Sequence, residues 1–333
     1  MEIRKLNSLR ALAAVIVMLT HFSDDTGWLV DTLGGRAGQY GVMLFFLLSG
    51  FLMSHLYLSR SCTTQNLVRY FRARMARVAP LYLLVVLGSY VACQLGLVGL
   101  YDIASAEKLF SHLLFIYGES VLWSIAPEMQ FYLLFMLFWL IAGRYPAYIY
   151  VLSIAIVIVL FLSNYPRPHG EISGLPYDLH LFRSLPYFLT GMVMGMLYGK
   201  LVIPCYLKQH FFILSLLPIP LLYPAFSPVT SDAKMRMWLN LEVLLVMASV
   251  FFAIVFLVPD SNRLLANRVG DFLGKISYSL YLLHMPVIIW LDQFTIATGI
   301  KLIAFFSLSI LLAWLSFAII EKPCSRLIRH SAR

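Results

Sequence analysis

The sequence is poor in charge. Only 12% of its 333 residues are Asp, Glu, Lys or Arg, about half the roughly 25% of soluble domains. A chain of this size folded in water must solvate a large outer shell, so the deficit excludes a soluble two-domain enzyme. Cysteine is scarce too. Cys62, Cys93, Cys205 and Cys324 stand singly, with no spacing of a disulfide framework, metal site or redox motif. Internal repeats and low-complexity tracts are missing. Short alternating apolar strands are missing as well, which excludes an outer-membrane barrel.

Apolar residues fill the space that charge leaves. They make up 61% of the chain, with a mean hydropathy of +0.83, which excludes a disordered chain. Ten spans can be read from the apolar runs: 7–23, 40–59, 78–99, 121–142, 147–163, 181–199, 211–226, 238–258, 276–296 and 301–320. Spans of about 20 residues suit the hydrocarbon thickness of a bilayer. The expected fold is an all-α integral membrane protein, a single transmembrane domain over 1–333 with no appended soluble domain. Residues 105–117 are too short and too charged to span and are expected at the interface. Arg4, Lys5 and Arg10 ahead of the first apolar run look like a signal sequence. No small-residue cleavage site follows, so the run reads as a retained first span.

The net charge is +9, from 25 Lys and Arg against 16 Asp and Glu. With the amino terminus inside, 18 of those 25 cations fall on the inner side and 7 on the other. That asymmetry is the positive-inside bias, and it puts both termini in the cytoplasm of a multi-pass protein of the cell inner membrane. No basic groove interleaved with aromatics is present, so nucleic acid is not an expected partner.

Several ionisable residues stand where hydrocarbon is expected. Arg10 and His21 are 11 residues apart in the first span, about three turns plus 20°, so they share a face about 16 Å apart along the axis. A buried histidine can simply donate to a carbonyl. Intramembrane ionisable groups are also functional candidates, and neutral imidazole suits proton transfer near pH 7. Ahead of Pro80, RYFRARMARVAPLY holds Arg69, Arg72, Arg74 and Arg77. Orientation alone accounts for basic residues in a loop, yet all are Arg, whose planar fork grips phosphate bidentately. Arg74 and Arg77 are three residues apart, close enough to share one anion.

Glu128 lies in the apolar fourth span after Pro127, which is expected to distort the helix and free a carbonyl. Its structural alternative is a bond to a neighbouring helix. Ser277, Tyr281 and His284 form a polar stripe on the ninth span, a pattern that also glues helices together. Asn240 and Glu242 near the outer end of the eighth span are weaker candidates for an acceptor pocket. Gly41, Ser49 and Gly50 in the second span read as a close-packing surface.

Six of these segments come in a recognisable order: LNSLRALAAVIVMLTHF, GVMLFFLLSGFLMS, RARMARVAPLY, LWSIAPEMQFYL, ISYSLYLLHMPV and the closing Glu321-Lys322-Pro323. In that order the sequence resembles the acyltransferase family 3 membrane proteins over nearly its whole length, least clearly across 140–270. The resemblance implies a ten-span enzyme that O-acylates surface polysaccharides, peptidoglycan, nodulation factors or antibiotics. His21 then corresponds to the family's essential histidine with Arg10 as its partner, Arg74 and Arg77 to its paired arginines, and Glu128 to its glutamate. Met43 and Met129 depart from the family, which often carries acids there.

By the same resemblance the donor is acetyl-CoA, a substrate and not a permanently bound cofactor. Its phosphates suit the arginines, with Arg10, Arg74 and Arg77 at the donor. His21 is the expected general base on a sugar hydroxyl, or a covalent relay, and Glu128 orients or stabilises the imidazole. Tyr281, His284 and Glu242 are expected toward the acceptor. A lipid-linked O-antigen or exopolysaccharide unit is the favoured acceptor, with a small diffusible acceptor as the alternative. A proton-coupled transporter or flippase and a non-catalytic assembly subunit are the rival functions.

Overall fold

The computed structural model describes residues 3–330 apart from 36, 98–99, 165–166, 211–215, 217–218, 224, 227–235 and 261. The helices are α1 (Arg4–Thr26), α2 (Val30–Leu33), α3 (Ala37–Tyr57), α4 (Thr64–Gln94), α5 (Ala106–Leu113), α6 (Ile125–Arg144) and α7 (Pro146–Leu162). After the strands β1 (His169–Ile172) and β2 (Leu175–Asp178) come α8 (Leu181–Leu197), α9 (Cys205–His210), α10 (Leu241–Phe252), α11 (Arg268–Leu291), α12 (Thr298–Ser316) and α13 (Lys322–His330). A 3-10 turn, Ser120–Ser124, precedes α6, and π-helical turns occupy Ala253–Leu257 and Phe317–Glu321.

Among the described residues, six helices are long and apolar enough to cross a membrane. Pro146–Leu162, Leu181–Leu197 and Leu241–Leu257 are shorter apolar helices. Half of the seventh expected span, 211–226, lies outside the described residues, and the rest includes a 3-10 turn, Ile219–Leu222.

Three local expectations change. The stretch 60–77 is not a loop: α4 begins at Thr64, capped by the Thr63 hydroxyl, which accepts the Asn66 N–H at 3.3 Å. The helix runs through Pro80, whose missing N–H leaves the Ala76 carbonyl without its helical donor. Pro127 does not distort α6. It sits in the first turn, where an N–H has no intrahelical partner in any case. The all-α expectation also omitted a two-stranded antiparallel hairpin pairing His169 with Asp178 and Ile172 with Leu175. Four-residue strands are too short for their alternation to stand out in a sequence.

The chain divides into two compact units. The first comprises Met1–Arg60, Arg144–Pro166 and Arg183–Ser277. Its centre is α1 packed on α3, where Gly41 lies so close to α1 that an added Cβ would stand 2.7 Å from the Ala13 carbonyl oxygen. Gly50 and Gly191 bring α3 and α8 together in the same way; a Cβ at either would fall within 2.0 Å of a carbonyl oxygen of the facing helix. Small residues let helix backbones touch, which is how membrane helices gain packing without a hydrophobic drive. The start of α1 is tied down by charge. Lys5 bonds the Val258 carbonyl at 2.8 Å and Asp260 at 2.9 Å, and Arg4 and Asn7 both bond Asp271.

The second unit comprises Ser61–Gly143, Arg167–Phe182 and Tyr278–Arg333. Buried Tyr70, Phe135 and Trp139 pack α4 on α6. Tyr82 donates to the His112 carbonyl at 3.1 Å and Tyr101 to the Leu282 carbonyl at 2.7 Å. Each phenol buries an apolar body while its hydroxyl finds a backbone acceptor. At α5, His112 Nδ1 meets the Lys108 carbonyl at 2.7 Å while Nε2 meets the Glu119 N–H at 2.9 Å. A carbonyl only accepts and an N–H only donates, so the ring is neutral with its proton on Nδ1.

Candidate active site

In the first unit, α1 is unbroken from Arg4 to Thr26, so the shared face of Arg10 and His21 is realised. Both side chains are half-buried and engaged in interactions. Glu242 also belongs to this unit. It is exposed in the first turn of α10, after Asn240 caps that helix by accepting the Glu242 N–H at 2.8 Å. An acid there suits the helix dipole. Arg183 of α8 is buried with its guanidinium 5.1 Å from the centre of the Trp238 ring.

In the second unit a polar cluster forms around Tyr132. Its hydroxyl donates to Glu128 Oε1 at 2.5 Å, one turn back on α6. The Arg74 guanidinium stands 5.9 Å from its ring centre, and the Tyr132 carbonyl accepts from Tyr70 at 2.9 Å. Arg74, Arg77 and Glu128 all act electrostatically on this phenol. Because α4 begins at Thr64, Arg74 and Arg77 stand about 15 and 20 Å along it, not at its mouth. Glu128 is in the first turn of α6, where the helix N-terminus favours negative charge.

A second carboxylate joins them. Glu321 is buried at the end of the π turn Phe317–Glu321, accepts a hydrogen bond from the Ser279 hydroxyl, and lies in the field of Arg77. Beside Ser279, Tyr278 donates to the Val78 carbonyl of α4 at 2.8 Å and lies in the fields of both Glu321 and Glu128. The stripe on α11 points elsewhere. Tyr281 donates to the Val121 carbonyl and accepts from Ser124, each at 2.9 Å. Fully buried His284 donates Nδ1–H to the Leu280 carbonyl at 3.0 Å, with its ring 6.0 Å from that of Tyr281.

A profile of the family described as Acyltransferase domain matches residues 3–321. The chain belongs to that family. Relatives include O-acetyltransferase OatA of Staphylococcus aureus strain NCTC 8325, 24% identical over 369 residues, covering 96% of this chain and 56% of the relative. A putative O-acetyltransferase of S. aureus strain COL is 25% identical over 356 residues with the same coverage. The chain thus spans little more than half the length of these curated relatives. No solved structure matches it.

In this acyltransferase-family chain, the second unit therefore gathers Arg74, Arg77 and Glu128, while the first holds Arg10, His21 and Glu242. Tyr132, Ser279 and Glu321 escaped assignment from sequence. Tyr132 sits in the very motif that carries Glu128, at the i+4 spacing that brings two helical side chains together. Glu321 opens the closing Glu-Lys-Pro motif. Its burial among apolar residues needed a partner, and that partner, Ser279, is 42 residues away. Two guanidiniums and two carboxylates in an apolar surround interact more strongly than in water and can orient an anionic ligand.

Proposed function

We propose that the chain is a membrane O-acetyltransferase that moves an acetyl group from acetyl-CoA to a sugar hydroxyl of a surface polysaccharide or its lipid-linked precursor. The observation that supports this reading best is the pairing of family membership with a charged cluster, Arg74, Arg77, Glu128 and Tyr132, inside an apolar unit. The arginines of α4 grip the phosphates of the donor with bidentate, charge-assisted hydrogen bonds.

His21 removes the proton from the acceptor hydroxyl as its oxygen attacks the thioester carbonyl. The carbon–sulfur bond breaks, the CoA thiolate leaves and takes up the proton, and an acetyl ester remains on the sugar. Within the second unit Glu128, held by the Tyr132 hydroxyl, sets the charge around the arginine pair. The protein works in the cell inner membrane with both termini in the cytoplasm, the side that supplies acetyl-CoA.

Purified protein in detergent, given radiolabelled acetyl-CoA and de-O-acetylated envelope glycan, is expected to transfer label to the glycan. His21→Ala is expected to lose turnover by 10²-fold or more while still binding CoA. Wild-type protein that leaves the glycan unlabelled would overturn the reading. His21→Ala retaining more than about a tenth of turnover would remove the general-base role.

A further inference from the structure

The segment leading into Glu128 is wound more tightly than a connection requires. Phe115 and Ser120 adopt positive φ values of 55° and 47°, a region that costs non-glycine residues energy. Between them, Gly118 lies on the 3-10 turn so closely that a Cβ would stand 2.4 Å from the Trp123 backbone. Three bonds from other elements hold this shape. Gln130 donates to the Phe115 carbonyl at 2.7 Å, the Asp178 N–H to the Ile116 carbonyl at 2.8 Å, and the Glu119 N–H to His112. Strain that is over-determined by its surroundings is concentrated at functional sites.

The wound segment and the β-hairpin present a ring of aromatic and planar charged groups. Trp123 meets His180 edge to face at 5.0 Å, and His180 Nε2 is 3.2 Å from Asp178. Arg167 pairs with the same carboxylate at 2.6 Å. Tyr117 donates to Glu119 at 3.1 Å and lies in the fields of both Glu119 and Asp178, which links the two halves of the ring. The carboxylates stay accessible, with side-chain exposures of 20% for Asp178 and 27% for Glu119. None of these groups has a part in the chemistry assigned to His21, Glu128 or the arginine pair.

We propose that this cap is the recognition site for the saccharide acceptor, an inference that rests on the O-acetyltransferase reading. A pyranose offers polarised C–H groups on its faces and hydroxyls around its rim. The negative face of an aromatic ring attracts the first. Carboxylates accept from hydroxyls while Arg and His donate to them, in charge-assisted bonds stronger than neutral ones. The cap segments, 115–124 and 167–180, lie in loops that the charge asymmetry assigns to the cell exterior, the side on which a surface glycan is exposed. Trp123 is five residues before Glu128, so a sugar held there stands at the start of α6.

The test uses the full chain in detergent, acetyl-CoA, and two probes from a deletion strain: de-O-acetylated envelope polysaccharide, and the lipid extract that carries its precursor. Trp123→Ala and Asp178→Asn are expected to raise the KM for one probe at least tenfold while the Kd for acetyl-CoA stays within twofold. Trp123→Phe is expected to recover most of the loss. Which probe shows the effect tells free glycan from lipid-linked acceptor. Unchanged KM for both probes in both variants, or a parallel loss of acetyl-CoA affinity, would overturn the cap as the acceptor site. If the wild type labels neither probe, the O-acetyltransferase reading falls, and this inference with it.

Discussion

Tyr132 donates to Glu128 while its ring lies beneath the Arg74 guanidinium, so one phenol touches the carboxylate of α6 and a cation of α4. The contact joins two motifs about 50 residues apart in the chain. It also places Arg74 on a helix beside the ring that binds the carboxylate, where a loop was expected.

Arg74→Ala and Arg77→Ala are each expected to weaken acetyl-CoA binding by about 1.5–3 kcal/mol, the range for hydrogen bonds to charged groups. Arg→Lys keeps the charge but loses the fork and is expected to restore only part of it. Isothermal titration on detergent-purified variants checks this. Unchanged affinity in both alanine variants would return these residues to a role in membrane orientation.

Glu321 is expected to act on the donor through Arg77. Glu321→Gln is isosteric and removes an ionisable group in the field of Arg77 while leaving one to meet Ser279. Its Kd for acetyl-CoA is expected to rise roughly tenfold, and the double variant with Arg77→Ala to show far less than the sum of the single effects, as coupled residues do. Simple additivity in the cycle would show that the two residues act separately.

His112 makes stability depend on pH. Burial holds the ring below its ordinary value of 6.5, against smaller effects of the Lys108 carbonyl and Glu119 that favour protonation and of the Lys108 cation that opposes it. A lowered value means that the unfolded chain binds the proton more readily. The stabilisation is therefore complete above 6.5 and is lost as pH falls through the folded value. Thermal unfolding from pH 8 to pH 4 is expected to show this loss in the wild type and a shallower dependence in His112→Gln. Parallel pH curves would refute the assignment.

The close approach of α3 and α8 predicts a contrast between two glycines. Gly191→Ala pushes a methyl into the Leu47 carbonyl and is expected to destabilise by about 1–3 kcal/mol, as overpacking does. At Gly299, in the first turn of α12, an added Cβ has open space, so Gly299→Ala is expected to be neutral or slightly stabilising. Melting temperatures of the two variants, compared with wild type, decide the matter.

What the sequence revealed followed from burial. The apolar runs located the long helices because hydrocarbon demands continuous apolarity. His21, Glu128 and Glu321 were visible as ionisable residues within such runs or in an ordered motif. What stayed hidden depends on long-range partners or on weak local signals. The start of α4 lies in a polar stretch, where helical and loop readings look alike. The hairpin at His169–Asp178 is too short to declare a period. The bond of Ser279 to Glu321 joins α11 to the turn after α12, a pairing that local spacing does not encode.

The π turn at Phe317–Glu321 carries a consequence of another kind. It holds one residue more than a regular helix would need over the same path. Removing any single residue from it would let the helix close up, with normal hydrogen bonds and little change in composition. Because the path on either side is unchanged, α13 would keep its aim, while the residues inside the turn, Glu321 among them, would shift against Ser279. At this point the chain is sensitive to its count of residues as well as to their kind.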